Sequence, residues 1–189
     1  MSQTDARTRY TRMVISDCFL TLLQQKPVAK ITVTELCQLA QINRATFYRH
    51  YLDIPDLMEK LEEELFDKTR QIYQQNNDVY QLFLQLMRFF KNNASKWMVL
   101  GSANGDPKLA IKSMEQFIQS AYPLTRTCLP QLSEVKLAML HSALSYGIGG
   151  IILHWIQNRM EQSPEEMADL IFSFCGQIIE GVQKGSIKL

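Results

Sequence analysis

The sequence is poor in the features that mark secreted, metal-binding or catalytic proteins. Its four cysteines, Cys18, Cys37, Cys128 and Cys175, stand singly in apolar-periodic stretches. With no C-x-x-C pair, neither a disulfide framework nor a zinc site is expected, and buried free thiols in a reducing compartment fit better. Met1 to Arg12 is polar and lacks the apolar segment of a signal peptide. The longest small-and-apolar run, Tyr146 to Leu153, falls far short of the roughly 20 residues a spanning helix needs. A cytoplasmic protein with no membrane association is expected. Strand alternation, internal repeats and low-complexity segments are also missing. No nucleophile–base pair, carboxylate pair or metal set stands out, so neither an enzyme nor a bound metal or cofactor is expected.

What remains is an ordinary globular composition, 46% hydrophobic and 21% charged. The net charge of +1 hides an asymmetry. Through Leu52, seven Lys/Arg against three Asp/Glu leave +4, and the remainder carries −3. A basic head on a slightly acidic body suits a protein whose first segment meets phosphates.

Helical periodicity runs along almost the whole chain. The first helix is expected over Thr8 to Gln25, with Ile15, Phe19, Leu22 and Leu23 inward and Pro27 ending it. Thr32 and Glu35 form a T-x-x-E capping box for a short helix to about Ala40. Gln41 and Ile42 turn the chain, and Asn43 caps a third helix, Arg44 to about Tyr51. Asp53 caps a long fourth helix with Leu57, Leu61 and Leu65 at four-residue spacing. The run Glu62-Glu63-Glu64 is expected on its solvated side. After Asn76–Asp78, the stripe Val79, Leu82, Phe83, Leu86, Met87 and Phe90 marks an amphipathic helix. A shorter piece holds Trp97, and a helix opened by Asp106-Pro107 should stop or kink near Pro123. Two final helices carry the stripes Leu137, Leu140, Leu144, Ile148, Ile151, Trp155 and Met167, Leu170, Ile171, Phe174, Ile178, Val182. The second starts at a capped Ser163-Pro164-Glu165-Glu166. The fold class is all-α: a three-helix helix-turn-helix head, residues 1–52, on a larger helical-bundle body, residues 53–189.

The chemistry concentrates between Thr32 and Tyr51, two short helices joined by a tight turn. The second exposes Arg44, Thr46, Tyr48, Arg49 and His50 around the small Ala45, while Phe47 and Tyr51, four apart, anchor it. These are the attributes of a recognition helix. Arg and His read guanine acceptors, Tyr and Thr meet phosphate or thymine methyls, and alanine permits close approach to base edges. With the helix caps included, the candidate DNA-binding set is Thr32, Asn43, Arg44, Ala45, Thr46, Tyr48, Arg49 and His50.

Thr46-Phe47-Tyr48-Arg49-His50-Tyr51 resembles the T-[FL]-Y-x-H-[FY] recognition helix of the TetR family of transcriptional regulators, and Asp53 to Leu57 resembles the start of that family's fourth helix. The wording INRATFYRHY is also similar to the branch that holds the activator of dihydroxyacetone kinase genes; no ligand is carried over from it. The close resemblance covers about the first third of the chain, and the rest agrees in architecture. It implies that Arg44, Ala45, Thr46, Tyr48 and His50 touch bases and phosphates and that Thr32 meets the DNA backbone. It further implies a homodimer formed by the two C-terminal helices, double-stranded DNA with a palindromic operator as partner, and control through the body. Control is by a small-molecule effector or, alternatively, by a protein partner; a cavity with a few convergent polar groups would separate the two. The sequence does not fix repression or activation. Two positions depart from the family. Gln41 stands where the turn usually has glycine, and Ile54 where a lysine commonly clamps phosphate, leaving Arg7, Arg9 or Arg12 to compensate.

Other features read blandly. Gly147, Gly149 and Gly150 follow no strand, so close helix packing accounts for them better than a phosphate loop. His141 and His154 lack metal spacing and suit a core edge or an interface. Tyr73, Phe83, Phe90, Trp97, Phe117 and Tyr122 are core aromatics or, as a set, the lining of an effector pocket. The dimer surface is expected from the two C-terminal stripes, which look wider than one core would use.

Overall fold

The structure, a computed structural model, describes residues 3–187 apart from residue 77. Among the described residues there are nine α-helices and no strand. They fall into two compact units. The first takes in the chain to Leu65 together with Ser95–Ala110; the second takes in Phe66–Ala94 and the chain from Ile111 onward.

In the first unit, α1 (Gln3–Gln25) is followed by a single 3-10 turn (Val28–Lys30), α2 (Val33–Leu39), α3 (Arg44–Tyr48) and the first half of α4 (Ile54–Gln75). The helix α1 starts five residues before the expected Thr8, since no proline or glycine precedes Pro27 to stop it. Ile15, Phe19, Leu23, Leu36, Phe47 and Leu57 are buried. A segment the sequence does not mark as part of this unit, α6 (Ala94–Leu100) and the loop after it, belongs here. The Val28 N–H donates to the Asn104 carbonyl at 2.8 Å, and the Asn104 side-chain amide donates to the Leu23 carbonyl at 3.0 Å. The second bond satisfies a carbonyl that the last turn of α1 leaves over.

The second unit holds the rest of α4, α5 (Val79–Asn92), most of α7 (Leu109–Cys128), α8 (Glu134–Gln157) and α9 (Pro164–Gln183). Its core gathers Leu82, Phe83, Met87, Leu144, Trp155 and Ile171 with their neighbours. A full capping box starts α9: Glu166 N–H donates to Ser163 Oγ at 3.1 Å, and Ser163 N–H to Glu166 Oε2 at 2.7 Å. Arg88 of α5 holds Glu165 of α9 at 2.7 Å.

Several expectations change. Pro123 does not stop α7, which continues to Cys128. Glu62 is buried and Glu64 pairs with Arg12 at 2.5 Å, so the acidic run is not a uniformly solvated face. The inward stripe of α8 belongs to this chain's own core, as do Met167, Ile171 and Val182 of α9, whereas Leu170 points to solvent. The same two helices expose a different apolar set: Val135, Met139 (68% exposed), Tyr146 (63%) and Leu153 on α8, and Leu170 and Phe172 on α9. Both helices are apolar on more than one face, and the sequence stripe picks out the inner one. Alone among the described helices, α8 is long and apolar enough to cross a membrane by length and composition. Burial of Leu137, Leu140, Leu144, Ile148, Ile152 and Trp155 in the core accounts for one face of it, and the exposed apolar set supplies the rest. A Cβ at Gly147 would stand a tight 3.2 Å from the Phe174 ring, at Gly149 it would meet only the flexible end of Met114, and at Gly150 it would meet nothing.

Candidate nucleic-acid interface and an internal cavity

The turn between α2 and α3 is a Schellman motif. Ile42 N–H donates to the Cys37 carbonyl at 3.0 Å and Gln41 N–H to the Gln38 carbonyl at 3.3 Å. Gln41 occupies the left-handed position at φ 53°, where a glycine would be free of the Cβ penalty of about 1 kcal/mol. At the start of α2, Thr32 Oγ accepts from Glu35 N–H at 3.2 Å, but only this half of the capping box forms. The Glu35 carboxylate turns instead to the Lys26 ammonium, at 2.5 and 2.6 Å.

Asn43 builds the start of α3. Its side-chain oxygen accepts from Thr46 N–H at 2.7 Å and from the Thr46 hydroxyl at 3.0 Å. Asn43 is thus a cap that also orients Thr46. Phe47 and Tyr51 are buried, with rings 5.6 Å apart, and fix the inner face. Arg44, Ala45, Tyr48 and Arg49 are exposed, while Thr46 and His50 are half-buried. The Arg44 guanidinium donates to the Tyr48 hydroxyl at 3.2 Å and lies 5.8 Å from its ring centroid, so the two side chains hold each other in place. The regular helix closes at Tyr48, and Arg49 and His50 occupy a last turn tightened by His50 N–H to the Phe47 carbonyl at 2.9 Å. Burial, then the charges of Arg12 and Arg49, hold the His50 imidazole below its usual pKa.

The start of α4 has its own reciprocal cap: Asp56 N–H donates to Asp53 Oδ1, and Leu52 N–H to Asp56 Oδ2, both at 2.8 Å. Ile54 is buried. Lys60, unnoticed in the sequence, reaches back to the His50 carbonyl at 3.2 Å while paired with Asp56 at 2.9 Å. It ties the end of α3 to α4. Of the arginines considered for compensation, Arg12 is committed to Glu64, and Arg7 and Arg9 are exposed.

The second unit contains a cavity of about 60 Å³ lined by residues of α4, α5, α7, α8 and α9. Tyr73, Phe83 and Phe117 of the aromatic set line it; Phe90, Trp97 and Tyr122 do not. His141 Nε2 lies 2.8 Å from the Ile118 carbonyl, which can only accept, so this nitrogen carries the proton. In the neutral ring Nδ1 then accepts from the Thr125 hydroxyl at 2.9 Å. Cys128 and Cys175 also line the cavity, and burial pushes both thiols up, Cys175 to about 11.

Residues 77–177, just over half of the chain, match the family described as the C-terminal region of TetR-type transcriptional regulators. The chain belongs to the TetR family. No curated protein matches it. Among solved structures, the dihydroxyacetone kinase operon activator DhaS is similar with a TM-score of 0.68 at 18% identity, over 90% of this chain and 96% of that one. A TetR regulator from Streptococcus agalactiae has a TM-score of 0.63 at 22% identity, over 90% and 96%. The regulator FadR from Bacillus subtilis, solved with stearoyl-CoA, has a TM-score of 0.56 at 10% identity, over 85% and 95%. At these identities the likenesses concern the fold. The family match falls on the body, whereas the wording that resembles TetR regulators lies in the head.

Proposed function

We propose that this TetR-family chain is a homodimeric, sequence-specific DNA-binding regulator that works in the cytoplasm. Residues 1–52 serve as the DNA-binding part, and residues 53–189 bind an effector and pair with a second copy. The carrying observation is α3 with the turn that closes it: Arg44, Ala45, Tyr48 and Arg49 stand exposed there, Arg44 is bonded to Tyr48, and the Asn43 cap is bonded to Thr46. Thr32, Asn43, Thr46 and His50 complete the contact set. Arg44 has the reach and geometry for guanine, with Tyr48 beside it for phosphate or a methyl. Two such heads meet a palindromic operator in successive major grooves about 34–36 Å apart.

The exposed apolar residues of α8 and α9 support pairing through the two C-terminal helices. A monomer by solution scattering at micromolar concentration would remove that part of the reading. The internal cavity favours a small-molecule effector over the alternative, a protein partner acting on a solid body. Its volume argues against any transfer of the long acyl ligand seen in the FadR structure. Cavity-lining residues sit on α4 and α7, the two helices whose N-terminal ends belong to the first unit, which gives an effector a covalent path toward α3.

The test is selection of bound duplexes from a randomised DNA pool, with Arg44→Ala and Tyr48→Ala proteins run alongside. An inverted repeat enriched by the parent protein and lost by both variants is expected. The same enrichment by the variants would exclude α3 as the reader.

A further inference from the structure

The polar groups around the cavity are unequal. His141 and Thr125 use their bonding capacity on each other and on the Ile118 carbonyl. Ser145 adds only a 3.5 Å approach to His141 Nε2. The Tyr73 hydroxyl oxygen is buried and has no hydrogen-bond partner. Its ring is fixed edge-on to Phe117, with centroids 6.0 Å apart. An unmade hydrogen bond at a buried phenol is costly, and the remaining wall is almost entirely apolar. No Lys, Arg, Asp or Glu lines the space, so a charged ligand has no counter-ion. Both thiols stay protonated at neutral pH, which removes a thiolate for covalent capture.

We infer that the cavity takes a small uncharged molecule with an acceptor oxygen, such as a short ketone, aldehyde or alcohol, and that the Tyr73 hydroxyl is its donor. This names the effector class and rests on the proposal that the cavity is the effector site. Burial holds the Tyr73 phenol well above its ordinary pKa, so it remains a donor throughout the physiological range. A cavity of about 150 Å³ holds benzene, so about 60 Å³ suits roughly two to four non-hydrogen atoms. A surface groove of about 420 Å³ shares Tyr73, Leu82 and Leu124 with the cavity, and these side chains form the wall a ligand would pass.

The experiment uses the full chain with isoleucine δ-methyls labelled for NMR, reading Ile148 and Ile179 of the cavity wall. Acetone and 2-methylpropene, alike in shape but differing in the acceptor, are titrated into the parent and Tyr73→Phe proteins. Hydration differs between the probes, so the decisive quantity is the change on substitution. Tyr73→Phe should weaken acetone about fivefold to tenfold and leave 2-methylpropene within about twofold, or tighter. Equal effects on both probes, or none, would overturn Tyr73 as donor. No acetone shift in the folded parent would overturn the ligand class. Operator affinity is measured separately. Acetone bound with that affinity unchanged would support the ligand class while removing acetone control of DNA binding.

Discussion

The exposed face of α3 and the cavity of the second unit use the same residue types in opposite ways. Around α3, polar side chains stand near water and are tied by short local bonds: Asn43 to Thr46, Arg44 to Tyr48, Asp53 to Asp56. Around the cavity, polar groups are buried, come from distant parts of the chain, and include one hydroxyl without a partner. The difference lies in where rigidity is needed. A surface that reads a rigid duplex gains from side chains already held in place. A site that responds to a ligand gains from a bond made only when the ligand is present.

The largest effect should come from the anchor beneath the surface. Phe47 is fully buried, and Phe47→Ala should cost about 3–5 kcal/mol of stability in denaturant unfolding. A loss under about 1 kcal/mol would mean that the exposed face is not held by its inner one. Next, Arg44→Ala or Tyr48→Ala should weaken specific DNA binding about 10- to 100-fold while moving stability by less than about 0.5 kcal/mol. That split would break down if either variant unfolded the head. Asn43→Ala should cost about 1 kcal/mol through loss of the cap and should weaken DNA binding further by freeing Thr46. Gln41→Gly should stabilise by about 1 kcal/mol, read as a rise in melting temperature, because it relieves the left-handed turn. The smallest effect concerns His50. Its folded pKa lies below the unfolded value of about 6.5, so the unfolded chain binds the proton more readily. The His50 contribution is complete above about pH 6.5 and is lost as pH falls below it toward the folded pKa. His50→Gln should flatten that part of the curve in melting temperatures taken between pH 7.5 and 5.5.

The same contrast explains what could be read without coordinates. The caps at Asn43, Asp53 and Ser163, the strained Gln41 and the anchors Phe47 and Tyr51 depend on residues at most five apart, so the sequence displays them. The cavity unites Tyr73, Phe117, His141 and Cys175, which no local spacing connects. Segment 95–110 joins the first unit through Asn104, a loop residue whose partners Leu23 and Val28 lie some eighty positions earlier. The stripe on α8 was visible, but its destination was not. An apolar period states that a face is buried and leaves open whether core or partner buries it. Glu35 offers a smaller lesson: the T-x-x-E pattern was present, yet Lys26, nine residues away, draws its carboxylate off.

The central claim, that α3 reads DNA as one of two symmetry-related heads, is tested most directly by helical phasing. Affinity is measured for a duplex carrying the selected inverted repeat and for the same half-sites separated by five additional base pairs. The account predicts that the half-turn insertion drops affinity to the non-specific level and that Arg44→Ala loses the difference between the two duplexes. Equal affinity for both duplexes would contradict it.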